Sequence, residues 1–164
     1  MPENERELIL SRILQLVGID HVDMDNFDNR LIYQKIIYLL QNYGLSLGYG
    51  YSWYVKGPYS SELAKTLFNI TPQITTESAS FAFHDNDLII RKIAEFKSIL
   101  NHEIGNPLFL EVLASIVFIQ KSLRLQENTQ VKNELLKLKP KLKENPEFER
   151  IFNDAFGLAP NFTS

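Results

Sequence analysis

The sequence contains no cysteine. This absence removes disulfide bonds, thiolate zinc sites and cysteine nucleophiles from the available chemistry, and it fits a reducing cytosol. The N-terminus lacks the basic start and apolar stretch of a signal peptide. The longest apolar run, Leu108–Ile119, is interrupted by Glu111 and is shorter than the ~20 residues that span a bilayer. We therefore expect a cytoplasmic protein that does not bind membranes.

Catalytic and cofactor motifs are also missing. His21, His84 and His102 lie in or beside predicted connections, and none belongs to an HxxxH or HExxH pattern. The glycines form neither GxGxxG nor GxxxxGK[ST], and no GxSxG nucleophile elbow occurs. We expect no metal site, no cofactor and no enzymatic activity. A hydrolase whose residues converge on His84 or His102 stays open as an alternative.

Hydrophobic periodicity predicts a mainly helical chain with a small β-hairpin. Helices are expected over 5–17, 26–43, 86–100, 107–123, 128–139 and 145–156, with a shorter one capped by Ser60. Strands are expected at Tyr51–Lys56, ended by the Gly57-Pro58 turn, and at Ser80–Asp85, with a loop at 71–78 before the second. This order predicts one domain over residues 1–157, a winged-helix-like unit at 26–84 and a flexible tail at 158–164.

Charge is distributed unevenly along the chain. Residues 1–30 contain seven acidic and three basic residues, whereas residues 121–143 contain seven basic and two acidic ones. A net charge of −3, and a helix after Ser60 that presents Lys65 beside Glu62, make direct DNA binding the less favoured interpretation. If DNA is bound, by a monomer or a homodimer, the candidate contacts are Lys35, Lys65, Lys132, Lys137, Lys139 and Lys141.

Aromatic side chains are concentrated in one segment. All seven tyrosines and the single tryptophan lie between Tyr33 and Tyr59. They indicate either a core that fastens the β-element to a helix or an exposed surface for a partner protein, because amphipathic rings suit both roles. A stacking platform for single-stranded nucleic acid is a third reading, although such platforms usually accompany a basic groove. The candidate partner-binding residues are Tyr38, Trp53, Tyr54, Gly57, Pro58, Tyr59 and Ser60.

The segment KIIYLLQNYGLSLGYGYSWYVKGPYSSEL combines a helix carrying K-x-x-Y-L, a following glycine, a strand, a Gly-Pro turn and a second helix. In this combination the chain resembles the YwgA-like family and, more distantly, the Panacea (SocA-like) antitoxin domain. The Leu138–Pro140 segment also resembles the C-terminal part of that family. After the turn the chain has Gly-Pro-Tyr-Ser where Panacea domains tend to have Gly-Pro-Val and a second proline. The matching residues are Lys35, Tyr38, Leu39, Gly44, Trp53, Tyr54, Gly57, Pro58, Tyr59, Ser60 and Leu63.

The resemblance implies a mainly helical, winged-helix-like domain without established catalysis. Its relatives include antitoxins that bind a partner toxin and an adaptor that delivers a toxin to a protease. We therefore expect a non-enzymatic interaction module, antitoxin-like or regulatory, whose partner is a protein such as a toxin. The alternative is a winged-helix-type transcriptional regulator that binds DNA.

Overall fold

The computed structural model describes residues 4–164, which form eight α-helices and one two-stranded antiparallel sheet. The predicted class, mainly helical with a small hairpin, is confirmed. Within these residues, no helix combines the length and the apolar character that crossing a membrane requires. The elements are α1 (Glu5–Val17), α2 (Phe27–Tyr43), β1 (Ser52–Tyr54), β2 (Gly57–Tyr59), α3 (Ser61–Phe68), α4 (Pro72–Ser78), α5 (Asn86–Leu100), α6 (Pro107–Ser122), α7 (Asn128–Leu138) and α8 (Phe148–Leu158), with 3-10 helices at Asn101–Gly105, Pro140–Glu144 and Ala159–Phe162.

Side-chain caps fix where several helices begin. The side chains of Asn26, Ser60, Thr71 and Asn106 each accept a hydrogen bond from the backbone N–H three residues later. Such bonds satisfy donors that the first turn of a helix leaves without an intrahelical partner. The positions of α2, α3, α4 and α6 are therefore set locally, by the residue just before each helix.

Helix α6 lies at the centre of the fold. It is apolar almost all round and packs against α2, α7, α8 and β2. Helix α1 packs against α3, α4 and α5, and α2 contacts members of both groups. The buried core includes residues of α1, α2, α3, α5, α6, α7 and α8. Because α2 is buried on several sides, its polar residues face protein as well as solvent.

The β-hairpin differs from the two strands predicted from the sequence. Both strands lie within residues 52–59, with Ser52 opposite Tyr59 and Tyr54 opposite Gly57. The Gly57-Pro58 pair therefore begins the second strand instead of ending the first. Gly57 has φ +95° directly after the turn residues Val55 and Lys56, an arrangement typical of a hairpin turn completed by a glycine bulge.

The segment between α3 and α5 also differs from the prediction. Residues 71–78, predicted as a loop, form α4, because Thr71 caps the helix and Pro72 occupies its first turn. Residues 80–85, predicted as a strand, are not in a strand, since β1 and β2 pair only with each other among the described residues. The apolar alternation in this segment instead places Phe81 and Phe83 in an edge-to-face contact, with ring centroids 5.4 Å apart.

The C-terminal segment is packed, whereas the sequence predicted a flexible tail at 158–164. Helix α8 begins at Phe148 and continues through Gly157, the residue expected to stop it. The Phe162 ring is fully buried and lies 6.0 Å from the ring centroids of both Tyr43 and Phe96. Burial of this ring fastens the end of the chain to α2 and α5.

Candidate functional site

Two glutamines of α2 hold the segment that contains the hairpin. The Gln41 side chain donates to the Tyr49 carbonyl at 3.0 Å and accepts from the Tyr49 N–H at 2.9 Å. The Gln34 side chain makes the same pair of bonds with Ser60, both at 2.9 Å. Gln34 and Gln41 lie about two helical turns apart and so share one face of α2. Both ends of residues 49–60 are therefore fixed to one helix.

Two buried lysines hold the hairpin from behind. Lys35 Nζ donates to the Pro58 carbonyl at 2.6 Å, and Lys139 Nζ donates to the Val55 carbonyl at 2.8 Å. Lys139 Nζ also pairs with Glu111 Oε2 of α6 at 2.7 Å, and both of these side chains are less than a tenth exposed. The inner side of the hairpin is thus joined to α2, α6 and the end of α7 through charged groups.

Burial lowers the pKa of the Lys35 ammonium from 10.5 to about 7. Loss of hydration is the largest cause, the Glu111 carboxylate opposes it, and the Lys139 ammonium adds to it. Two cations and one carboxylate in a common buried environment make release of a proton by Lys35 favourable near neutral pH. The hairpin is therefore attached through a group that titrates near pH 7.

In the Lys35→Met variant, the free energy of unfolding is expected to lack the rise with pH that Lys35 causes in the wild type. Between pH 7 and 9 the folded state holds Lys35 increasingly neutral while the unfolded chain keeps it protonated, so the free energy of unfolding rises with pH. The rise due to Lys35 over this interval is about 2 kcal/mol. Urea unfolding of both proteins at several pH values measures it, since subtraction removes the groups that they share. Parallel curves would contradict the assignment.

Exposed aromatic rings of the hairpin and of the two helices beside it surround a cavity of about 260 Å³. Phe27, Tyr54 and Phe68 line this cavity and are 53, 60 and 61% exposed. Tyr59 also lines it and stacks on Tyr54, with ring centroids 5.2 Å apart. We call these four residues the aromatic rim. It joins the first turn of α2, the hairpin and the end of α3.

The candidate partner-binding residues divide between the two sides of the hairpin. Tyr54 and Tyr59 belong to the aromatic rim, and Trp53 is half-buried against the Phe118 ring at 5.5 Å. The others lie inside and support the turn: Tyr38 contacts the Tyr51 ring, Ser60 caps α3, and Gly57 and Pro58 are buried.

Sequence reasoning missed several residues that build the site. Phe27 is the first residue of α2 and gives no periodic signal. Phe68 falls on the apolar face of α3 with Leu63 and Leu67, a pattern that predicts burial, yet it is exposed at the end of the helix. Gln34 and Gln41 were also missed, although their spacing on one helical face was visible in the sequence. These four residues connect the hairpin to the two helices beside it.

The lysines proposed as nucleic-acid contacts occupy different environments. Lys35 and the Lys139 side chain are buried, which removes them from any phosphate contact. Lys132 pairs with Glu149 at 2.7 Å. Lys65, Lys137 and Lys141 are exposed.

The three histidines, His21, His84 and His102, are all exposed. His102 is exposed and contacts its neighbour Glu103 at 3.1 Å. His84 is exposed at the edge of a second cavity, of about 670 Å³, between α1, the loop after α2 and the start of α5. No group of three or more His, Cys, Asp or Glu residues suited to a metal ion occurs within residues 4–164.

Comparisons with known proteins found no match. No protein-family model, no curated protein and no solved structure matches the chain. The resemblance to the YwgA-like and Panacea families therefore stays a prediction, and the function is argued from the site.

Proposed function

We propose that the chain is a non-enzymatic, cytoplasmic interaction module, antitoxin-like or regulatory, that binds a partner protein through the aromatic rim. The observation that supports this proposal is the exposure of Phe27, Tyr54 and Phe68 around one cavity. Contiguous exposed apolar surface is unfavourable in water and often marks an interaction site, and tyrosine is enriched among the residues that dominate binding energy. A toxin is the partner for an antitoxin-like protein, and a second copy of the chain is the alternative.

Hydrogen bonds to the hairpin backbone hold the aromatic rim in place. They favour a role in binding over the interpretation that these rings are exposed without a function. Hydrogen bonds from Gln34, Lys35 and Lys139 fix the hairpin backbone before any partner arrives. A surface that is already ordered loses little conformational entropy when it binds. Tyr54 and Tyr59 are therefore presented in a fixed, stacked arrangement.

The Tyr54→Ser/Phe68→Ser variant is expected to lose at least about tenfold in affinity for the physiological partner, because it removes two large apolar contacts. Both residues are exposed, so the change should leave folding intact. The partner is identified by capture on the tagged wild-type chain in cells that carry the gene, and the affinity is then measured by calorimetry.

Leu123→Ser provides the matched control, because Leu123 is 47% exposed at the end of α6, away from the rim. It should bind like the wild type. If the rim variant and the control capture the same proteins equally, the rim is not the partner surface. A toxic reading frame beside the gene, whose product the rim captures, would favour the antitoxin form of the proposal.

A winged-helix-type DNA-binding regulator, acting as a monomer or a homodimer, is the second candidate function. In this proposal residues 26–84 form a winged-helix-like unit, with the hairpin as the wing ahead of α3. Exposed Lys137 and Lys141, on α7 and the 3-10 helix after it, favour this candidate. An electrophoretic mobility shift at about 50 mM salt tests it, since phosphate contacts are strongest at low salt. Absence of binding there would remove it.

A further inference from the structure

The cavity inside the aromatic rim has charges of one sign. Arg30, Lys35 and Lys56 line it, and among residues 4–164 no Asp or Glu does. The Lys35 ammonium is turned toward the Pro58 carbonyl, so Arg30 and Lys56 are the cations that a bound group would meet. Within residues 4–164 neither of these two forms an ion pair with a carboxylate. The whole chain carries a net charge of −3, so this positive site is local.

The size of the cavity favours one inserted side chain over an entire small ligand. Its volume of about 260 Å³ lies below the ~300–1,000 Å³ typical of small-molecule sites. Its walls include the apolar side chains of Met24, Leu31 and Ala64 below the rim. Interfaces commonly place a large apolar side chain in such a pocket as their central contact.

We propose that the cavity receives an acidic segment of the partner protein, in which one large apolar side chain stands beside Asp or Glu. The apolar side chain fills the cavity between the rim residues, and the carboxylates pair with Arg30 and Lys56. The Arg30 guanidinium can bind a carboxylate through two parallel hydrogen bonds, which orient the carboxylate in addition to neutralising its charge. This inference rests on the proposed function and specifies the chemistry of the partner.

The test uses three short blocked peptides that share a central Phe, flanked by Glu in the first, by Gln in the second and by Lys in the third. Each is titrated into the isotope-labelled full chain at about 50 mM salt and followed by backbone amide NMR. The Glu peptide is expected to shift the signals of Tyr54, Lys56 and Tyr59 and to bind about fivefold more tightly than the Gln peptide. The Lys peptide should bind most weakly, and replacing the central Phe by Ala should abolish binding.

Protein variants separate the charge contribution from the apolar one. Lys56→Gln, at an exposed turn residue, should reduce the preference for Glu over Gln. Arg30→Gln/Lys56→Gln should bring that preference close to one while leaving the dependence on Phe. Lys65→Gln is the matched control, because Lys65 is an exposed lysine that does not line the cavity.

Two results would overturn the inference: equal affinities for the Glu and Gln peptides, or shifts that map away from the cavity. The captured partner supplies a separate readout. A partner that depends on Tyr54 and Phe68 but is unaffected by Arg30→Gln/Lys56→Gln would overturn this inference and leave the proposed function standing. A failure to find any partner that depends on the rim would instead overturn the proposed function.

Discussion

The Glu111→Gln variant is expected to lower the free energy of unfolding by about 3–5 kcal/mol. Glu111 pairs with Lys139 at 2.7 Å, and both side chains are buried. Removing the carboxylate leaves the Lys139 ammonium buried beside Lys35 without its counter-charge, which is costly in a poorly hydrated environment. Urea unfolding followed by circular dichroism at pH 7 measures the loss.

Glu149→Gln is the matched control for this prediction. It breaks the Lys132–Glu149 pair, which has the same 2.7 Å separation, but the Glu149 side chain is 68% exposed. Water and ions replace most of an exposed pair, so the expected cost is below about 1 kcal/mol. Equal costs for Glu111→Gln and Glu149→Gln would show that the Glu111 pair is not shielded from solvent.

A double replacement distinguishes a missing partner from an essential ion pair. Glu111→Leu/Lys139→Met removes both charges and keeps apolar volume, and such exchanges are often neutral or stabilising. We expect it to recover more than half of the stability lost in Glu111→Gln. If it is no more stable than the single variant, the hydrogen bond from Lys139 to the Val55 carbonyl is itself essential to the hairpin.

Most helix positions were predictable from the sequence because local chemistry sets them. The caps Asn26 and Ser60, and the proline at position 107, directly mark where α2, α3 and α6 begin. The missed helix α4 has the same signal, a Thr71 cap followed by Pro72, but its polar composition was read as a loop. A capping residue followed by proline thus predicts a helix better than the overall composition of the segment does.

The strands were less predictable because a strand needs a partner. Residues 80–85 show strand-like alternation, yet among the described residues they pair with neither β1 nor β2. In the hairpin, the first strand ends two residues earlier than predicted, because Val55 and Lys56 form the turn and Gly57 begins the second strand. Glycine at position 57 suits either reading, and only the pairing of Tyr54 with Gly57 decides between them.

The sequence predicted which segment holds the candidate site, but it did not predict which residues of that segment are buried and which are exposed. The clustering of tyrosines marked residues 33–59, but residue type does not say that Tyr38 is buried while Tyr54 is exposed. Tyr38 is buried because it lies in α2, whereas within β1 the side chains alternate, so that Trp53 contacts Phe118 and Tyr54 faces solvent. The cluster of Lys35, Glu111 and Lys139 joins three distant segments, so no local pattern could reveal it.

The Gly57→Ala variant is expected to lower the free energy of unfolding by about 2–4 kcal/mol and to displace the hairpin. Gly57 has φ +95°, a conformation that costs an alanine about 1–2 kcal/mol. An added Cβ would also lie 2.7 Å from Ser115 Oγ of α6, so the Ser115 side chain, the β2 backbone or α6 must move. Since β2 places Tyr59 in the rim, binding to the partner should weaken together with stability.

Gly48→Ala isolates the backbone part of this cost, because Gly48 has φ +83° but no atom of residues 4–164 lies within 4 Å of the added Cβ. It should lose only about 1–2 kcal/mol and leave the rim unchanged. Ser115→Ala alone should be close to neutral, since the buried Ser115 hydroxyl has no hydrogen-bond partner among the residues that the structure describes. In the Gly57→Ala background, however, Ser115→Ala should restore about half of the packing loss, because it removes the atom that the new Cβ meets.

Equal losses for Gly57→Ala and Gly48→Ala, without rescue by Ser115→Ala, would mean that the hairpin does not approach α6 this closely. The support of the aromatic rim would then come from the hydrogen bonds of Gln34, Lys35 and Lys139 without close packing of β2 on α6.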